Sequence, residues 1–158
     1  MFINQLKSIG LIGFSLLAAN LSAQKKPNIV LILADDLGYG DVSALNKDSK
    51  IQTPNLDKFV RHGVTFGDAH SGSSVCSPTR YGILTGRYSW RSSLKSGVLN
   101  GYSEALIPHD RLTIASMLKQ NGYSTACIGK WHLGWQWNNI EKGIDQVDFS
   151  KPIKNGPT

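Results

Sequence analysis

The chain has 158 residues, 41% of them hydrophobic, and a formal charge of +6. That could in principle bury one core, though the pattern looks like the opening part of something larger, and there is no internal repeat or low-complexity segment. The basic excess is spread along the chain without a block, which argues against nucleic acid as a partner and describes an evenly solvated surface that would attract small anions.

The first 24 residues carry a single charge, Lys7, followed by an apolar run from Ile9 to Ala19 and the small residues Leu21-Ser22-Ala23. This is the layout of an export signal occupying residues 1–23, with cleavage after Ala23. The run is shorter than the ~20 apolar residues of a permanent span, so no stable membrane anchor is expected. No cysteine follows the cut to carry a lipid. The mature chain, 24–158, is expected to be periplasmic or secreted.

Asn28 to Ala34 is an unbroken Ile/Val/Leu-rich run, the pattern of a strand covered on both faces in a parallel sheet. Asp35 and Asp36 follow at once, before Gly38 and Gly40. Ligands of open α/β sheets gather beyond the carboxyl ends of strands, so this pair is well located to hold a cation. A regular strand would send the two carboxylates to opposite faces, so the chain must bend here. A helix cap with a solvated turn fits most Asp-Asp pairs, but the position after a buried strand favours metal here, and Asp41 is read as a turn residue.

Thr53-Pro54 predicts a helix start, with Leu56, Phe59 and Val60 as its apolar face and Gly63 as its stop. Val64 to Ala69 reads as a second strand, followed by a small polar loop, Ser71 to Val75. His62 and His70 are read as a helix-end and a loop residue, since nothing near them has metal-site spacing. Cys76-Ser77-Pro78-Thr79-Arg80 then opens another helix, because proline is tolerated in the first turn. Cys76 would lie at the positive end of that helix and Arg80 one turn along the same face, a site for an anion. Composition alone leaves Cys76 as a nucleophilic thiol or as half of a disulfide with Cys127.

Tyr88 to His109 reads as a long surface excursion. A helix is expected over Ile114 to Gln120, capped by Thr113, with Ile114, Met117 and Leu118 facing inward and Asn121-Gly122 as its stop. Tyr123 to Gly129 reads as a third strand, with Cys127 a buried, inert thiol. Beyond it stands Gly129-Lys130-Trp131-His132-Leu133-Gly134. In an extended segment Lys130 and His132 would project from one side, placing a cation and a proton donor together. Trp131, Trp135 and Trp137 could stack on sugar rings or pack at the domain edge.

Cys76-x-Pro78-x-Arg80, continued by Leu84-Thr85-Gly86-Arg87, resembles the first signature of type I sulfatases, and Gly129 to Gly134 resembles their second. The likeness runs from Lys26-Pro27-Asn28 through the Asp pair and Thr53-Pro54-Asn55-Leu56-Asp57 to Lys151-Pro152-Ile153. It implies an alkaline-phosphatase-like α/β/α sandwich with a largely parallel central sheet, incomplete in this chain, of which 24–158 would be the N-terminal part of the catalytic domain. It further implies a sulfuric ester hydrolase acting on sulfated carbohydrate or aryl sulfate. Cys76 would be converted to formylglycine by a maturation enzyme, Asp35 and Asp36 would bind Ca2+ together with the converted residue 76, and Arg80 would be its electrostatic partner. Lys130 and His132 would contact the sulfate and the bridging oxygen, His132 as the acid for the departing alcohol. The chemistry implied is a hydrated aldehyde with two geminal hydroxyls, one to attack sulfur and one to lose its proton and expel sulfate. The family's later Asp-Asn pair and further lysine and histidine contacts are not in this sequence. Thr79 stands where many sulfatases have serine, a small change between hydroxyl residues. Two other readings are compatible with the same residues: a phosphodiesterase or phosphonate hydrolase of the superfamily, and a non-catalytic truncated product that binds anions.

Overall fold

A computed structural model describes residues 26–138, 144–153 and 156. The proposed export signal, residues 1–23, lies outside the described residues. The chain divides into two compact units, 1–36 and 37–158. In the first, residues 26–34 carry no regular secondary structure and are exposed, with Val30 80% and Ile32 76% accessible. The run ends in a bend at Asp35-Asp36.

The second unit holds three α-helices: α1 (Pro54–His62), α2 (Cys76–Thr85) and α3 (Ile114–Gln120). Short 3-10 turns stand at Tyr39–Asp41, Ser89–Arg91 and Ile144–Gln146. Each helix begins and ends where its residues dictate. Pro54 starts α1 because the first turn needs no amide donor, and the Gly63 N–H closes it on the Phe59 carbonyl at 2.8 Å. Gly86 ends α2 in the left-handed region, φ 64°, where a glycine avoids the Cβ clash. Thr113 caps α3 reciprocally: its Oγ1 accepts from the Ser116 amide at 3.1 Å, and Ser116 Oγ accepts from the Thr113 amide at 2.8 Å. Thr53, by contrast, occupies the N-cap position of α1 without capping it. Its hydroxyl donates instead to Asp57 at 2.8 Å and accepts the Ser43 amide at 2.9 Å, clasping the 43–44 loop to the helix.

Three expectations are corrected. No β-strand forms among the described residues, so none of 28–34, 64–69 and 123–129 is paired there as a strand. A strand is stabilised only by the neighbour that completes its ladder, and these apolar runs face solvent: Val64 is 82% exposed, Phe66 75% and Ile128 97%. Cys127 is accordingly exposed, not buried. The apolar faces of α1 and α3 are also open, with Phe59 70% and Met117 44% exposed. Lastly, the Tyr88–His109 excursion is not merely surface. It supplies Leu106 and Ile107 to the core, which they form with Tyr81 of α2 and Leu133, flanked by Leu84, Leu94, Leu99 and Trp131.

That core is where the second motif is seated. The Leu106 amide donates to the Leu133 carbonyl at 2.8 Å, and the Trp135 amide to the Ser103 carbonyl at 3.0 Å. Gly134 lies between those bonds at φ 71°, so close to Glu104 that a Cβ there would fall onto the Glu104 carbonyl group. The tryptophans pack on one another: Trp131 and Trp135 have centroids 6.1 Å apart, Trp135 and Trp137 6.0 Å, and Trp137 meets Phe149 edge-on at 5.7 Å.

Candidate active site

Cys76 is the first residue of α2, half-buried, with a free thiol. Cys127 is also free, so the disulfide alternative does not form. Val75, the N-cap, brings no side-chain oxygen to the first-turn amides, which leaves the positive end of the helix dipole beside residue 76. Thr79 fastens the preceding loop by donating to the Ser73 carbonyl at 2.7 Å.

One turn on, Arg80 Nη1 donates to the Lys130 carbonyl at 2.5 Å. This bond joins the two signature motifs across 50 residues of sequence. A guanidinium can reach a carbonyl with one nitrogen and still present its fork elsewhere, which an ammonium cannot. Lys130 itself is exposed. The expected extended geometry of the second motif is not kept, because Gly129 takes φ 100° and His132 φ 54°, so Lys130 and His132 do not alternate as in a strand. The imidazole of His132 turns onto the loop, with Nε2 2.7 Å from the Leu99 carbonyl. The Leu99 amide in turn donates to Ser77 Oγ at 3.2 Å, and Ser77 is fully buried at 0% exposure.

The sequence reading missed Ser77 and Leu99. Ser77 lies inside the first motif, but a serine beside a nucleophile reads as spacer. Leu99 acts through its backbone, which no side-chain pattern reveals.

Asp35 and Asp36 belong to the other unit and are both exposed. Asp36 takes φ 65°, the bend the pair requires. Among the described residues, Asp36 and His132 are the non-glycine residues with positive φ. Such conformations cost of order 1–2 kcal/mol and are tolerated where a function or the surrounding packing demands them. The carboxylates are hard oxygen donors of the kind Ca2+ takes, but they fall short of its six to eight ligands. Among the described residues no group of three or more His, Cys, Asp or Glu is arranged for a metal. No helix among them is long and apolar enough to cross a membrane.

Against known proteins, the Sulfatase family matches residues 27–158. The chain is 46% identical over 110 residues to an N-acetylgalactosamine-6-O-sulfatase of Bacteroides thetaiotaomicron, covering 70% of this chain and 21% of that protein. It is 45% identical over 118 residues to human arylsulfatase A, covering 75% and 23% respectively. A solved structure described under the metabolism of multiple glycosaminoglycans by Bacteroides thetaiotaomicron superposes with a TM-score of 0.71 at 40% identity, over 84% of this chain and 26% of that one. The chain belongs to the Sulfatase family. It spans between a fifth and a quarter of the length of these curated relatives.

Proposed function

We propose that this chain carries the nucleophile-bearing part of a hydrolase of sulfate monoesters, with a sulfated carbohydrate or an aryl sulfate as substrate. The observation that carries the proposal is the Arg80–Lys130 bond, which brings the cysteine motif and the Lys-Trp-His motif to one place from distant parts of the chain. The names of the relatives, an N-acetylgalactosamine-6-O-sulfatase and an arylsulfatase, support those two substrate classes.

Cys76 is the residue to be converted to formylglycine by a maturation enzyme, and its free thiol at the start of a helix suits that role. Once converted, residue 76 would supply a hydrated aldehyde as nucleophile, and the sulfatase resemblance gives Asp35, Asp36 and residue 76 as the groups that would hold Ca2+, which would supply positive charge to a bound sulfate. The chain's own groups do the rest. The first-turn amides of α2 and the Arg80 guanidinium offer fixed positive charge where negative charge builds up, so no reorganisation is needed during reaction. Lys130 binds sulfate as a mobile point charge. His132 holds the proton for the departing alcohol. The apolar runs 28–34, 64–69 and 123–129 suit a parallel sheet of the alkaline-phosphatase-like α/β/α type, and residues 1–23 suit export of a mature protein beginning at Gln24 to the periplasm or beyond.

The test is to express the protein at the full length of its gene with a formylglycine-generating enzyme, then assay a chromogenic aryl sulfate and sulfated sugars. The peptide containing residue 76 should be lighter than the cysteine form and react with hydrazides. Cys76→Ala should lower turnover by roughly 10³-fold or more. Unmodified Cys76 in that host, or turnover that survives Cys76→Ala, would overturn the proposal.

A further inference from the structure

Ser77, Leu99 and His132 form a chain of contacts that the proposed chemistry does not use. Ser77 is wholly buried, its Oγ accepts the Leu99 amide at 3.2 Å, and the carbonyl of the same residue lies 2.7 Å from His132 Nε2. A backbone carbonyl has no proton to give, so the ring nitrogen facing it must be the one that carries hydrogen. The opposite nitrogen, Nδ1, is buried and has no hydrogen-bond partner among the described residues. The ring is further held by its own backbone, since φ 54° at His132 leaves the residue few alternative placements.

We propose that Ser77 is a positioning residue: through the Leu99 peptide unit it locks His132 as the Nε2–H tautomer, which leaves the lone pair on Nδ1. The consequence is directional. Neutral His132 keeps its lone pair at Nδ1, and a proton taken up there leaves Nε2–H on Leu99. The Leu99 carbonyl also stabilises the imidazolium that results, as the orienting partner of a catalytic histidine does elsewhere. A hydroxyl in the first motif thereby controls which atom of the second motif is chemically available. The catalytic meaning of this rests on the proposed sulfatase reading, but the tautomer itself does not.

Long-range proton–nitrogen NMR on the histidine-labelled chain distinguishes protonated from lone-pair ring nitrogens residue by residue. His132 in the unaltered protein should show a protonated Nε2 and a lone-pair Nδ1, with a preference of about tenfold or more, the scale of one hydrogen bond. Ser77→Ala should leave the helical circular dichroism intact while His132 moves toward a mixture of tautomers. The Leu99 amide should exchange slowly in the unaltered chain, a measurement that needs no variant. A mixed or Nδ1-protonated His132 in the unaltered protein, a freely exchanging Leu99 amide, or an unchanged tautomer in folded Ser77→Ala would each overturn the proposal. Loss of the sulfatase reading in the activity assay, with the Nε2–H tautomer present, would remove the catalytic meaning and leave the positioning intact.

Discussion

At the scale of the residue, backbone demands are as specific as side-chain chemistry. Gly134 shows it: at φ 71° and against the Glu104 carbonyl, a methyl group has neither an allowed conformation nor room. Gly134→Ala should lower the unfolding free energy by roughly 3 kcal/mol, combining left-handed strain with overpacking, and urea denaturation would measure it. A shift below about 0.5 kcal/mol would show that the 103–106 and 133–135 segments do not approach as described. Arg80 makes a different demand, for a planar donor. Arg80→Lys keeps the charge but loses the fork that reaches the Lys130 carbonyl. In the full-length enzyme kcat should fall by about a hundredfold, with KM changing less, because the loss is of aimed donors rather than of attraction. Steady-state kinetics on an aryl sulfate would check the split.

At the scale of the element, the clasp on α1 links helix start to loop through one carboxylate. Burial pushes the Asp57 carboxyl up, but hydrogen bonds from Thr53, Ser43 and the Ala44 amide, with the Arg61 charge, together hold it below its ordinary value of 3.8. A depressed folded value means that folding favours the ionised form. The resulting stability is complete above 3.8 and is lost as pH falls through the lower folded value. Asp57→Asn should therefore be less stable than the parent near neutrality, and the gap should narrow in acid. Urea midpoints at neutral pH and near pH 3 would show this, and a gap that widens in acid would contradict the assignment. α1 and α3 were legible in the sequence to the residue, because Pro54, Gly63, Thr113 and Asn121 punctuate them locally. The three expected strands are not formed among the described residues, since a strand is completed by chain far away in sequence.

At the scale of the whole molecule, the described core is small: Tyr81, Leu106, Ile107 and Leu133, with Val147 buried apart from them. Meanwhile Val30, Ile32, Val64, Phe66 and Ile128 are each at least 75% exposed. Apolar, extended and uncovered runs are the usual starting points for edge-to-edge association. The isolated chain should therefore self-associate as its concentration rises, and Ile128→Lys, at a position 97% exposed, should move the onset upward at no cost to the core. Static light scattering over a dilution series would measure it, and an onset unmoved by the substitution would show that this run is not the contact.

What the sequence determined by itself was whatever depends on neighbours in the chain. It placed the helix starts and the stops of α1 and α3, set Cys76 at a helix start with Arg80 one turn on, and required a bend at Asp35-Asp36. Its motifs also identified the family. Tertiary structure alone decided that Arg80 reaches the Lys130 carbonyl, that the Tyr88–His109 segment helps build the core, and that Ser77 and His132 meet on the two sides of Leu99. The physical reason is that helix signals are written within a turn or two of the chain. A contact made through a backbone carbonyl 33 or 50 residues away leaves no trace in the identity of the residue that supplies it.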